Sequence, residues 1–333
     1  MKPLRGRRVL LIAPRFFGYE LEIQKKLEEL GALVDHYQGH PSAGFAVKAL
    51  IQLWPSLLAP YSRQYFARIG AESADKDYDD ILVIKGEGLD EVGIRRLRGQ
   101  FPNARATLYL WDSLRNCPPT RRILHLFDRC LTIDRPDADA HADMVLRPLF
   151  YTDAYREIAA SASHGSDTDV LFVGTVLADR YDVLRRVRSA LPEGRRFSEV
   201  RYFAHPALFW LRKLQDPRFL RARASEFIFT PLSRPALLAM VRGTKALLDI
   251  EHPQQAGLTM RTLEALGARR KLITTNRAVL EYDFCHPNNI LVIDRNNPTI
   301  PDDFLDRPYV DPPKHVYERY SLNRWVSEVT QTE

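Results

Sequence analysis

Residues 257–264 read Gly-Leu-Thr-Met-Arg-Thr-Leu-Glu, between an apolar run ending "LLDIE" and the stretch "KLITTN". These types suit anion binding. Gly257 lets the backbone turn tightly against a ligand, and Thr259 is of the N-cap type. The first amides of a helix lack intrahelical acceptors and carry the positive end of its dipole. A diphosphate would fit across Gly257, Leu258 and Thr259, and Arg261 adds a guanidinium suited to bidentate phosphate contacts. Glu264 would then accept hydrogen bonds from both hydroxyls of a ribose. The same residues also make an ordinary helix start, with Thr259 as cap and Glu264 completing a capping arrangement. Residue type alone leaves both readings open.

Other groups invite the same question. In "FVGT", Gly174 and Thr175 can present amides and a hydroxyl to a phosphate, with Arg180 placed to close over it; a plain strand-to-helix turn is the alternative. His252-Pro253 follows an apolar run, where a histidine is ordinarily structural; the pair resembles the His-Pro motif of GT-B sialyl- and Kdo-type transferases, a resemblance that implies a role for His252 at the donor phosphate. Glu20, Glu87 and Asp112 each follow an apolar run of the first half, where a base would take a proton from a hydroxyl. Glu87 lies between two glycines, which suits a turn that projects a carboxylate. Glu20 would equally begin a helix, and Asp112 would equally cap the next element. No Asp-x-Asp pair closes a strand. No metal is therefore expected, because a helix dipole and arginines can neutralise a leaving diphosphate.

These residues need elements to position them. The first half alternates "RRVLLIAP", "ALVDHY", "DDILVIKG", "ATLYLWD" and "RCLTID" with helical patterns. One of those helices carries Leu21, Ile23, Leu27 and Leu30 as its predicted apolar stripe. After the small, polar stretch 156–169, read as a linker, the rhythm resumes with "VLFVGTV", "SEVRYFA", "KALLDIE", "KLITTN" and "NNILVID". In the helix that follows Thr259, Met260, Leu263 and Gly267 are predicted to face the sheet. The pattern predicts an α/β protein made of two tandem Rossmann-like, doubly wound parallel-sheet domains facing across a cleft. The expected division is residues 1–150, residues 151–315, and a final helix over 316–333 that crosses back to the first domain.

Composition narrows the class. Three scattered cysteines fit neither a disulfide framework nor a zinc cluster. The basic start has too short an apolar run for a secretory signal, and no stretch reaches the ~20 apolar residues of a membrane span, so a cytoplasmic protein is expected. The net charge of +6 and pI near 9.2 point to an anionic partner. The arginines are scattered and no nucleic-acid-binding signature is present, so nucleic acid is not expected. The stretches 45–69 and 201–223 interleave aromatics with bases and could lie peripherally on an anionic inner-membrane surface. A dehydrogenase would need Gly-x-Gly-x-x-Gly after its first strand, whereas "IAPRFFGYE" places Phe16 and Phe17 there.

"GLTMRTLEALGARRKLITTN" resembles the donor-site element of GT-B glycosyltransferases, in which a glycine-started helix holds the diphosphate and a glutamate binds the ribose. With "FFGYELEIQKKLEELG", "LYLWDSLRN", "FDRCLTIDRPDA" and "LFVGTVLADRY" in order, the chain is similar to bacterial polysaccharide and lipopolysaccharide-biosynthesis glycosyltransferases, including the CgeB-like group. The resemblance implies transfer of a sugar, most simply a hexose, from a UDP- or GDP-linked donor to a glycan, lipid-linked or other hydroxyl acceptor. No cofactor is implied beyond that nucleotide sugar. One departure stands out: many retaining members place glutamates eight positions apart, and Ala256 occupies the position eight before Glu264. A sugar-nucleotide epimerase on the same fold and a non-catalytic nucleotide-binding protein are the alternatives.

Overall fold

The computed structural model describes residues 2–39, 55–86, 88–161, 167–176, 179–253 and 257–332. The chain forms two compact units, Met1–Leu149 with Leu322–Glu333, and Phe150–Ser321.

Among the described residues the first unit holds six parallel strands: β1 (Arg8–Ala13), β2 (Leu33–Gln38), β3 (Asp80–Ile84), β4 (Arg105–Leu110), β5 (Arg129–Thr132) and β6 (Met144–Leu146). Their order is β2-β1-β3-β4-β5-β6. Val9 to Ala13 and all of β3 are buried, as a parallel sheet covered on both faces requires. Among the described residues, α1 (Tyr19–Glu29), α2 (Pro55–Glu72), α3 (Glu91–Gln100) and α4 (Arg135–Ala140) accompany it before the chain leaves the unit. The predicted stripe of α1 needs correction. Tyr19, Ile23 and Leu27, spaced by four, face inward with Glu20, whereas Leu21 is exposed. Two residues from Ile23 on a 3.6-residue helix is nearly the opposite side.

The second unit opens with α5 (Asp153–Ala160), so the predicted linker begins as helix. Then come β7 (Thr168–Thr175), α6 (Arg180–Ala190), β8 (Phe197–Tyr202), α7 (Pro206–Gln215), α8 (Arg234–Arg242), β9 (Thr244–Asp249), α9 (Met260–Gly267), β10 (Lys271–Thr274), β11 (Ile290–Val292) and α10 (Lys314–Arg319). The five parallel strands run β11-β10-β9-β7-β8, with Leu247 in register with Leu171 on one side and Leu272 on the other. The predicted last helix is two helices. α10 stops before Tyr320, and α11 (Leu322–Val329) belongs to the first unit, where Trp325 packs edge-on against Tyr109 with ring centroids 4.9 Å apart.

Each sheet reverses its winding once. From β1 the chain goes to β2 on one side and to β3 on the other; from β7 it goes to β8 on one side and to β9 on the other. The strand ends beside such a switch point form the crevice where open α/β sheets take ligands.

Candidate functional site

In the second unit the predicted donor residues gather at the carboxyl ends of β7, β9 and β10. Thr259 is the N-cap of α9: its Oγ1 accepts from the Thr262 amide at 3.3 Å and donates to Asp249 Oδ2 at 2.9 Å. The strand-end carboxylate thus holds the cap, and Thr262 Oγ1 donates to the same oxygen at 3.1 Å. "KLITTN" completes the frame. Thr274 also reaches Asp249, Thr275 donates to Glu251, and Asn276 Nδ2 donates to the Gly257 carbonyl at 3.1 Å. The polar ending of that strand therefore fixes the turn into α9 from the neighbouring strand.

Arg261 joins α9 to β7. Its Nη2 donates to the Val173 carbonyl at 3.1 Å, and its Nη1 lies 2.5 Å from Glu264 Oε2. Arg180 Nη1 donates to the Thr175 carbonyl at 2.8 Å. Gly174, Thr175, Arg180, Thr259, Arg261 and Glu264 are thus one cluster. Leu258 is fully buried, so it can offer a ligand only its backbone. His252 is exposed.

Glu264 is buried, and Tyr155 Oη donates to its Oε1 at 2.6 Å. The helix carrying it is more enclosed than its sequence suggests, with Thr262 to Gly267 all buried. Of the three residues predicted to face the sheet, Leu263 is fully buried and Met260 only half-buried. Gly267 packs instead on Tyr151, where a Cβ would come within 2.5 Å of the ring's Cγ. Residues 150–160 thereby cover the outer face of α9 through Tyr151 and Tyr155.

Sequence reasoning missed Arg295, which follows β11. Its guanidinium contacts Asp179 at 2.8 Å and Glu251 Oε1 at 2.6 Å, and donates to the Glu251 carbonyl at 2.8 Å. It also missed Asp249 and Tyr155 as supports. The legible signal was an acid or a base directly after an apolar strand, as in "LLDIE" and "LVIDR". Burial pushes the Asp249 carboxyl above the ordinary carboxylate range, with Glu251 adding to the rise, while Thr259, Arg180 and Arg261 oppose it. Burial lowers the Arg180 guanidinium below its usual value, partly offset by Asp249. For Arg295 burial acts in the same direction, but Glu251 and Asp179 outweigh it and raise the value. Three guanidinium groups set among four carboxylates, Asp179, Asp249, Glu251 and Glu264, at the carboxyl ends of these strands make a shielded, cation-bearing floor that a ligand with two adjacent phosphates could engage.

The first unit holds the acceptor-side candidates. Glu20 is buried, and its Oε2 accepts from the Phe16 amide at 3.0 Å, closing a turn in which Phe17 and Gly18 are left-handed at φ 51° and 82°. That contact makes Glu20 a clamp on the loop after β1. Asp112 is half-buried, and its Oδ1 accepts from the Ser113 amide at 2.9 Å and from Asn116 Nδ2 at 2.7 Å. Beside it, the Trp111 Nε1 and Ser113 Oγ atoms are buried without a hydrogen-bond partner among the described residues. Trp111 packs on Phe16 with ring centroids 5.5 Å apart, which joins the ends of β4 and β1. Glu87 lies outside the described residues.

The chain matches no protein-family model and no curated protein sequence. Solved structures do resemble it. An α,α-trehalose-phosphate synthase (UDP-forming) from Burkholderia xenovorans, in complex with glucose-6-phosphate, shares 14% identity at TM-score 0.60, over 97% of this chain and 99% of that one. HepE of Anabaena, in complex with UDP and glucose, shares 11% at TM-score 0.60, over 98% and 100%. A UDP-GlcNAc 2-epimerase of Methanocaldococcus jannaschii, in complex with UDP-GlcNAc and UDP, shares 12% at TM-score 0.52, over 98% and 99%. At such identities the likeness establishes the fold: two Rossmann-like domains of the GT-B type. Transferases and an epimerase share it, so the choice of reaction has to come from the site.

Proposed function

We propose that this chain is a glycosyltransferase that moves a sugar from a nucleoside-diphosphate donor to a hydroxyl acceptor. The observation that carries this reading is the convergence of Arg180, Arg261 and the start of α9 on the carboxyl ends of β7 and β9, at the switch point of the sheet. In the proposed arrangement the diphosphate lies against the α9 amides and draws Arg261 from Glu264. The ribose hydroxyls then take the guanidinium's place on that carboxylate. As the glycosidic bond breaks, charge grows on the leaving diphosphate. Arg180 and Arg261, already positioned in a shielded site, stabilise it without a metal ion. Arg295 holds Asp179 and Glu251 in place around that floor.

For the acceptor we propose Asp112 as the carboxylate that receives the hydroxyl proton, with Trp111 Nε1 and Ser113 Oγ as its neighbouring hydrogen-bonding groups. A buried donor without a partner is the kind of group a bound substrate satisfies. A glycan or lipid-linked acceptor in surface-polysaccharide assembly follows from the resemblance of the ordered sequence stretches. A UDP donor is favoured because HepE and the epimerase were solved with UDP.

The test is a thermal-shift screen of the purified protein against UDP, GDP, CMP and dTDP at saturating concentration. A ligand bound only to the native state raises Tm by mass action. A response to UDP or GDP that Arg261→Ala removes supports the site. Silence from all four, or an undiminished response in the variant, overturns it. Release of UDP from a UDP-sugar only when an acceptor is present separates transfer from epimerisation.

A further inference from the structure

Helix α7 presents an apolar face to solvent. Ala207, Trp210, Leu211 and Leu214 recur at helical spacing, and all four are exposed: Trp210 is 55%, Leu211 48% and Leu214 84% accessible. The opposite side is anchored by Phe209, fully buried in an aromatic cluster with Phe203 and Phe227. So the helix is held in place by one side while a second hydrophobic stripe has no covering among the described residues. Single exposed leucines are ordinary; a tryptophan and two leucines aligned on one helix face, followed by Leu220 at 60% exposure, are not.

The charge around this stripe is one-sided. From Pro206 to Arg223 the chain carries Arg212, Lys213, Arg218, Arg221 and Arg223 against Asp216 alone. Asp216 is held by Arg218 at 2.8 Å and Arg212 at 3.5 Å, while Arg221 and Arg223 are exposed. Lys213 Nζ donates to the Ala222 carbonyl at 2.7 Å, which ties the basic turn to the helix. An interfacial helix combines such features: an apolar face with a tryptophan and leucines that enters the acyl boundary, and bases that remain at the level of anionic headgroups. We infer that α7 and the turn after it form a docking surface for an anionic lipid bilayer. Nucleic acid would use the bases but leave the leucines unexplained. A second copy of the chain would bring two basic surfaces together.

The inference does not rest on the glycosyl-transfer reading, because vesicle binding needs no turnover. The experiment is co-sedimentation of the full chain with vesicles of phosphatidylglycerol and phosphatidylethanolamine, and with vesicles of phosphatidylcholine alone. It compares wild type, Leu211→Glu/Leu214→Glu and Arg221→Glu/Arg223→Glu, with sedimentation velocity on each. All four positions are exposed, so the variants keep the fold, which circular dichroism verifies. Wild type is expected on the anionic vesicles and to be largely released by high salt. Removal of the leucines should weaken binding roughly tenfold or more, and charge reversal should remove the preference for anionic vesicles. Wild type that stays in solution, or a leucine variant that binds like wild type, overturns the assignment. So does a wild-type dimer that the leucine variant converts to monomer without loss of vesicle binding.

Discussion

Replacement of Glu264 by Gln tests the donor site most directly. Gln keeps an acceptor for the Tyr155 hydroxyl but removes the charge facing Arg261. That pair is shielded, with side-chain exposures of 15% for Arg261 and 3% for Glu264, so it does not fall to the near-zero worth of surface pairs. Hydrogen bonds to a charged partner contribute about 1.5–3 kcal/mol, and Arg261 keeps its bond to Val173. We expect Glu264→Gln to destabilise its unit by about 1–3 kcal/mol, a fall of roughly 2–4 °C in Tm for each kcal/mol. Binding should respond separately. If ribose hydroxyls use the carboxylate, loss of its charge removes about 1.5–3 kcal/mol from UDP affinity, roughly 10- to 150-fold. Inorganic pyrophosphate has no ribose and should stay within about threefold. Calorimetric titration of both ligands into both proteins gives the answer. An equal loss for the two ligands would show that Glu264 only steadies Arg261. Unchanged UDP affinity beside a lowered Tm would show that it is purely structural. Either result would refute the ribose contact.

Arg261→Ala and Arg180→Ala should each reduce UDP release from a UDP-sugar by at least about a hundredfold, the cost of removing one preorganised oxyanion partner, while far-ultraviolet circular dichroism stays unchanged. Gly267→Ala should lower stability by about 1–3 kcal/mol in denaturant melts, because overpacking against Tyr151 outweighs the up to ~1 kcal/mol of helix propensity that alanine returns. Arg295→Met leaves Asp179 and Glu251 without their shared cation; with partly exposed partners a loss of about 2–3 kcal/mol is expected in the same melts. On the acid side, hydrogen bonds from Arg195 and then Lys245 hold the Asp306 carboxyl at about 2, below the ordinary 3.8. A depressed carboxylate contributes stability above its unfolded value, and that stability is lost as pH falls toward the folded one. Asp306→Asn should therefore flatten the decline in Tm between about pH 4 and pH 2, and an unchanged slope would remove this pair from the acid response.

Much of this protein can be read from local pattern. Apolar runs such as "VLLIA" and "DILVI" have to be strands buried on both faces, because no polar alternation gives them a wet side. The sheets described here place them in parallel strands flanked by helices. Thr259 reads as a cap from its type and from the apolar residues that follow, since the geometry that makes a threonine a cap is local. Arg180 and Arg261 were likewise visible as cations near strand ends.

What the one-dimensional pattern lacks is which distant residues share an oxygen atom. Asp249 holds the Thr259 cap, Tyr155 reaches Glu264 from 109 positions away, and Arg295 bridges Asp179 and Glu251. Those pairings follow from strand order, and the crossing from β7 to β9 leaves no local trace. Leu21 differs in kind: helix phase relative to Ile23 already turns it to solvent, and that phase is local. The Trp210 face belongs with the distant pairings. Helical spacing marks it as apolar, and only the buried anchor at Phe209 shows that this face is the one left uncovered among the described residues.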